Sequence, residues 1–88
     1  MSTDSVERPE ILVYSRPGCH LCEVLVDELM PIIRGKLELQ VRNIDTNSGW
    51  TARFGLRIPV VVFEDHEICH FKLDKDAIAR IVDGKTAD

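Results

Sequence analysis

The chain has 88 residues, of which 44% are hydrophobic and 30% are charged, and its formal charge is −4. This length suits one domain, and the hydrophobic content argues against disorder. The scattered Lys and Arg residues lack the electrostatic footprint of a nucleic-acid-binding protein, and no run of 18 apolar residues is present that could span a membrane.

The N-terminal segment is polar, and residues 1–9 are predicted to form a flexible leader. They contain neither the basic region nor the apolar region of a secretory signal, so we expect a cytoplasmic protein. The folded domain is predicted over residues 10–84, and residues 85–88 are predicted to form a tail.

The first predicted elements are a strand and a helix. Ile11–Ser15 is a short apolar run, which is typical of a buried strand. From Cys19 onward, apolar residues recur every three or four positions, and this spacing predicts an amphipathic helix. Pro31 should kink this helix or end it near Met30, and Gly35 suits a stop.

The middle of the chain predicts an edge strand and a short helix. Leu37–Arg42 alternates apolar and polar residues, as a half-buried strand does, and such strands often lie at the edge of a sheet. Trp50 and Phe54 are four residues apart and Gly55 follows them, which indicates a short helix.

The last third predicts a hairpin and a helix. Val60–Phe63 and Glu67–Phe71 flank a turn and should pair antiparallel. Asp74 can cap a last helix that ends at Gly84. The element order is β-α-β-α-β-β-α, which predicts an α/β fold with a four-stranded mixed sheet and helices on both faces. Its first βαβ unit should be a right-handed parallel crossover.

The motif Cys19-His-Leu-Cys22 falls where the first strand meets the helix. Residues i and i+3 of a helix share a face, within the Cα separation that a disulfide allows. A helix N-terminus offers free N–H groups and a partial positive charge, which stabilise a thiolate, and the thiolate is the nucleophile. We therefore predict that Cys19 is the reachable, reactive thiol and that Cys22, one turn inside the helix, attacks the resulting mixed disulfide.

Two other interpretations of the cysteine pair stay open, namely half of a zinc site and a buried structural pair. A zinc site needs two more ligands, and the remaining candidates are Cys69, His66 and His70. Cys69 and His70 are neighbours on a predicted strand and should point to opposite faces, so we predict no metal site. Cys69 is interpreted as a small buried hydrophobic residue. The strand–C-x-x-C–helix context favours thiol–disulfide exchange.

Two polar residues beside the pair are candidate modulators of its reactivity. His20 lies between the cysteines and, as an imidazolium, would favour the Cys19 thiolate. Arg16 would add positive potential near the same thiol. The simpler interpretation is that both residues are exposed polar side chains.

The segment Tyr14-Ser-Arg-Pro-Gly-Cys-His-Leu-Cys22, followed later by Arg57-Ile-Pro-Val60, resembles the glutaredoxin-like branch of the thioredoxin superfamily. The resemblance covers roughly residues 10–84 and is closest to a group of small bacterial glutaredoxin-like proteins. The two motifs together are more specific than either motif alone. The resemblance implies a thioredoxin-type fold.

The resemblance also implies the positions and the activity of a site. Pro59 matches the cis-proline of the family, which would set the backbone of Ile58 beside Cys19, where it could pair with an extended substrate. The implied activity is a thiol–disulfide oxidoreductase that acts on protein or small-molecule disulfides and is restored by a reducing system. We expect a monomer without metal or organic cofactor. The alternatives are a metal or iron–sulfur carrier and a thioredoxin-fold interaction module without turnover.

Two departures from the glutaredoxin pattern bear on glutathione. Glutaredoxins carry Thr-Val-Pro where this chain has Arg57-Ile-Pro59, and a Gly-Gly pair where it has Phe71-Lys-Leu-Asp74. In glutaredoxins the backbone N–H groups of that pair hold glutathione. Asp74 would repel a glutathione carboxylate, while Lys72 and Lys75 would offset the repulsion. Glutathione therefore stays a candidate reductant for which we expect weak binding.

Overall fold

The structure is a computed structural model that describes the backbone of residues 8–86 and the side chains of residues 8–84. Of the leader predicted over residues 1–9, residues 1–7 lie outside this range, as do residues 87 and 88 of the predicted tail. No helix within the described range is long and apolar enough to cross a membrane.

The described residues form the predicted order of strands and helices, with strand ends that differ by about one residue from those predicted. The elements are β1 (Glu10–Ser15), α1 (His20–Ile33), β2 (Glu38–Asn43), α2 (Ser48–Phe54), β3 (Val60–Phe63), β4 (His66–His70) and α3 (Lys75–Thr86). The sheet order is β2-β1-β3-β4, in which β1 runs parallel to β2 and antiparallel to β3, and β3 runs antiparallel to β4. The edge position of β2 and the terminal hairpin are confirmed.

The sheet is buried on both faces, because successive side chains of a strand point to opposite sides. Ile11 and Val13 of β1 pack in one apolar cluster with the buried residues of α1 and α3. Tyr14, on the opposite face of β1, packs in a second cluster with Phe54 of α2. All four side chains of β3 are buried, which explains its uninterrupted apolar sequence. This three-layer packing places the start of α1 at the end of the sheet where the C-terminus of β1 lies.

Of the two effects predicted for Pro31, an end of α1 near Met30 is wrong, because the helix continues through Pro31 to Ile33. Proline removes one helical N–H donor, but the last turn is held by the Arg34 N–H, which donates to the Met30 carbonyl at 3.0 Å. Ile33 is 1% exposed, so its burial keeps that turn on the core. Gly35 then ends the helix with a φ of +76°, as expected for a glycine stop.

The predicted end of α3 is also wrong. The helix passes through Gly84 to Thr86, two residues into the predicted tail. Glycine lowers helix stability by about 1 kcal/mol relative to alanine and does not by itself end a helix. Gly84 does not adopt the positive φ of a helix-ending glycine, and the buried Val82 beside it anchors this part of α3 to the core.

Candidate redox site

The two cysteines of the C-x-x-C motif lie at the start of α1. Cys19 is the N-cap residue, and its Sγ accepts a hydrogen bond from the Cys22 N–H at 3.1 Å. The two Cα atoms are 5.2 Å apart, and the Sγ atoms are joined in a disulfide. Cys22 is 4% exposed, whereas Cys19 is only half-buried. The arrangement therefore pairs a partly exposed cysteine with a buried one.

The turn between β1 and α1 explains why Cys19 occupies the cap. Gly18 adopts a φ of +80°, a backbone conformation that residues with a Cβ rarely adopt. The Cys19 N–H donates to the Arg16 carbonyl at 3.2 Å, which closes the turn. The sulfur then takes the position that an N-cap oxygen usually takes, where it faces the free N–H groups of the helix.

The structure places both predicted modulators next to the pair, but in different settings. His20 is an exposed residue of the first turn of α1. The Arg16 Nε lies 2.9 Å from Asp45 Oδ1, so the carboxylate offsets the positive charge that Arg16 brings to Cys19. Sequence reasoning missed Asp45. The predicted parallel crossover was the signal that could have revealed Asp45. Parallel pairing, seen between Ser15 and Asn43, brings the residues that follow β1 and β2 to the same end of the sheet.

The Ile58–Pro59 peptide bond is cis, as the resemblance implied. Tyr14 pairs with Val60, so Pro59 lies at the end of the sheet where β1 leads into the Cys19 turn. Pro59 is buried, and its carbonyl accepts a hydrogen bond from the Phe71 N–H at 2.9 Å. The loop around Pro59 is thus attached to the loop that follows β4. Substrate positioning by Ile58 and Pro59 stays a prediction.

A polar chain that the sequence did not reveal fixes the segment before Ile58. The Arg57 guanidinium donates to the Glu67 carboxylate and, at 3.0 Å, to the Arg53 carbonyl. His70 Nδ1 lies 3.1 Å from the other oxygen of Glu67. The hydrogen bond from Arg57 holds the pKa of Glu67 below its usual range, against the opposing effect of burial. These contacts attach the segment before the cis-proline to β4.

Two clefts flank α1. The β2-side cleft has a volume of about 450 Å³ and lies between α1 and the end of β2. Both redox cysteines form part of its wall. The residues that line it include Arg16, Cys19, Cys22, Glu23, Val26, Asp27 and Val41. The β4-side cleft, of about 180 Å³, lies between α1 and the loop after β4 and is lined by Leu21, Val24 and Phe71, among others. The cysteines therefore lie in the wall of the larger cleft.

The third cysteine, Cys69, is half-buried on β4 and packs against the core. Burial raises the pKa of its thiol, although the Asp74 N–H, which donates to Sγ at 3.5 Å, acts in the opposite direction. Among the residues with described side chains, no three His, Cys, Asp or Glu residues are grouped closely enough to hold a metal ion. Cys69, His66 and His70 accordingly form no ligand set with the C-x-x-C pair.

The three thiols of the reduced protein should react with iodoacetamide in a definite order at neutral pH. We expect Cys19 to react fastest, because it is accessible and faces the helix N-terminus. Cys22 should be slow because it is covered, and Cys69 should be slow because its raised pKa keeps it protonated. Peptide mass spectrometry after short labelling times measures each rate. Cys22 or Cys69 reacting as fast as Cys19 would contradict this assignment.

The sheet order, the C-x-x-C pair at the start of α1 and the cis-proline before β3 together define a thioredoxin-superfamily protein. A family model described as glutaredoxin-like domain (DUF836) matches residues 10–83. The chain belongs to this glutaredoxin-like family. The fold and the family resemblance expected from the sequence are confirmed.

Individual relatives agree with this assignment. An uncharacterized protein of Mycobacterium bovis is 30% identical over 77 residues, which cover 80% of this chain and 78% of the relative. The solution NMR structure of a protein from Nitrosomonas europaea is 38% identical with a TM-score of 0.76, covering 91% of this chain and 98% of that one. Thioredoxin 1 from Thermosipho africanus has a TM-score of 0.57 at 17% identity over 84% of this chain and 94% of that one, and so shares the fold.

Proposed function

We propose that this protein is a thiol–disulfide oxidoreductase in which Cys19 is the nucleophile and Cys22 is the resolving thiol. One observation carries the proposal. The partly exposed cysteine at the N-cap, Cys19, lies close enough to the buried Cys22 to form a disulfide with it. An accessible thiolate at a helix N-terminus attacks external disulfides, and a covered neighbour reacts only with what is attached to the first sulfur.

The proposed reaction begins with the dithiol form. The Cys19 thiolate attacks one sulfur of a substrate disulfide, so that a mixed disulfide forms and the first substrate thiolate leaves. The Cys22 thiol loses its proton to solvent and attacks Cys19 Sγ, which releases the second substrate thiolate. The substrate gains two electrons, and the protein is left with the Cys19–Cys22 disulfide. An external thiol or a reductase returns the protein to the dithiol.

The test uses the reduced protein and a cysteine peptide carried as its mixed disulfide with thionitrobenzoate. Attack by Cys19 on the peptide sulfur expels the coloured thionitrobenzoate, and attack by Cys22 then frees the peptide thiol. We expect the second-order rate constant for thionitrobenzoate release to be at least roughly a hundredfold higher than that of the Cys19→Ser variant. The Cys69→Ser variant should match the parent. Equal rates for parent and Cys19→Ser would refute the oxidoreductase proposal and favour an interaction module.

Weak use of glutathione is part of the same proposal, and two features of the segment after β4 support it: a backbone conformation and a hydrogen bond. Phe71 has a φ of +66°, so a bulky side chain occupies a left-handed position where glutaredoxins carry glycine. The Asp74 carboxylate accepts the Ala77 N–H at 3.1 Å. The Ala77 N–H at the start of α3 is thus already bonded to the Asp74 carboxylate, and the negative charge of this carboxylate repels an incoming one.

The Asp74→Ser variant should use glutathione better as a reductant. Serine caps a helix about as well as aspartate, so the fold is kept while the repulsive charge is removed. We expect the rate of reduction of the Cys19–Cys22 disulfide by glutathione to rise about two- to fivefold. The control is Asp76→Asn, which removes an equal charge in the first turn of α3. Tight, saturable glutathione use by the parent, lost on substitution of Lys72 or Lys75, would contradict this part of the proposal.

A further inference from the structure

The β2-side cleft combines apolar surface with uncompensated negative charge beside the redox pair. Val26 and Val41 contribute apolar lining, and Val41 is 53% exposed on the edge strand β2. Glu23 and Asp27 are four residues apart on α1, so they lie on one side of the helix and both line the cleft. Neither carboxylate forms an ion pair with any side chain in the described range 8–84.

The basic residue that lines this cleft is already paired with a carboxylate. Arg16 lines the cleft, but its Nε is 2.9 Å from Asp45 Oδ1. The carboxylates of Glu23 and Asp27 therefore make the net charge of the cleft lining negative. An anionic ligand entering on this side would be repelled, whereas a cationic group would gain two charge partners.

We infer that the β2-side cleft binds a Lys or Arg side chain of a polypeptide substrate whose disulfide cysteine lies within a few residues. A long basic side chain suits this cleft because its aliphatic stem covers apolar surface while its head reaches charged groups. The stem would lie against Val26 and Val41, and the head would reach Glu23 and Asp27. This inference rests on the proposed oxidoreductase function and adds the substrate class to it.

The shape of the site favours this side of the cysteine pair for the basic residue. Cys19 and Cys22 line the β2-side cleft, so a side chain bound there lies next to the reacting sulfurs. The β4-side cleft is smaller, and its lining combines apolar side chains with one acidic residue, Glu28, and one basic residue, Lys72. A substrate strand that crosses the redox pair would thus meet an acidic cleft on one side and, on the other, a cleft whose two charges are of opposite sign.

The experiment compares two cysteine peptides that differ only in whether Lys or Glu flanks the cysteine, each as its mixed disulfide with thionitrobenzoate. The second-order rate constant of the reduced protein is divided by that of dithiothreitol with the same peptide, which removes intrinsic differences in reactivity. We expect the Lys peptide to be preferred roughly tenfold at low ionic strength, and less as salt is added.

Variants assign the preference to the cleft. In the double variant Glu23→Gln/Asp27→Asn the Lys/Glu ratio should fall to about one, as expected for loss of two charge partners. The matched control is Glu28→Gln, which removes one carboxylate from the other side of the same helix and should keep most of the ratio. Val41→Lys places a cation in the cleft and should lower the ratio without removing a carboxylate.

Three results would overturn the inference. Equal rates for the two peptides, with turnover intact, would refute the basic-residue preference and leave the oxidoreductase proposal standing. A preference that survives in Glu23→Gln/Asp27→Asn and disappears in Glu28→Gln would place recognition elsewhere on α1. Absence of thionitrobenzoate release above the Cys19→Ser rate from either peptide would refute both proposals together.

Discussion

Replacing Cys22 with serine is expected to stop the reaction at the mixed disulfide and to accumulate covalent adducts. In the parent, resolution is intramolecular, so the Cys22 thiol attacks at a high effective concentration. In the Cys22→Ser variant, release depends on external thiols that arrive by diffusion, and we expect the adduct to last at least roughly a hundredfold longer. Non-reducing gels of a cell extract, with and without dithiothreitol, measure the adducts.

Two cysteine variants serve as controls for this trapping experiment. Cys19→Ser should accumulate far fewer adducts, because Cys22 is 4% exposed and external disulfides reach it poorly. Cys69→Ser should behave like the parent, since Cys69 packs against the core on β4. Equal adducts from Cys19→Ser and Cys22→Ser would contradict the division of roles. No adducts from either variant would favour a metal or iron–sulfur carrier or an interaction module.

The Leu29→Ala variant is expected to lose about 2–5 kcal/mol of unfolding free energy. Leu29 is 0% exposed in the cluster between α1, the sheet and α3, so its truncation leaves a cavity under the helix that carries the redox pair. Urea denaturation of the oxidised protein measures the change, with the disulfide intact in parent and variant.

The adjacent residue supplies the control for Leu29→Ala. Met30 lies on the same helix and is 37% exposed, so Met30→Ala removes a large side chain without opening an enclosed cavity. We expect the Met30→Ala change to be about 1 kcal/mol or less. A loss at Leu29 no larger than the loss at Met30 would contradict the prediction that packing of α1 on the sheet stabilises this part of the fold.

Local patterns in the sequence determined most of the fold. Period-two alternation in β2 identified an edge strand, and the apolar run Val60–Phe63 followed by a turn identified the hairpin. Spacing also placed the cysteine pair at the start of α1. An end of α1 near Met30 and an end of α3 at Gly84 were wrong expectations, because burial of Ile33 and Val82 outweighs the local preference of proline and glycine.

The surroundings of the redox pair could not be predicted from spacing. Arg16 is 29 residues from Asp45, and Arg57 is 10 residues from Glu67, so their contacts depend on which strands lie side by side. The acidic β2-side cleft likewise joins residues of α1 to Val41 of β2.

The sequence by itself determined the element order, the redox pair and the family resemblance, because these depend on short-range periodicity and on motifs. Only the tertiary structure decided that the charge of Arg16 is offset and that Glu23 and Asp27 line a cleft. The physical reason is that burial and charge pairing depend on which distant elements pack together. In this protein the parallel pairing of β1 with β2 brings the charges around Cys19 together.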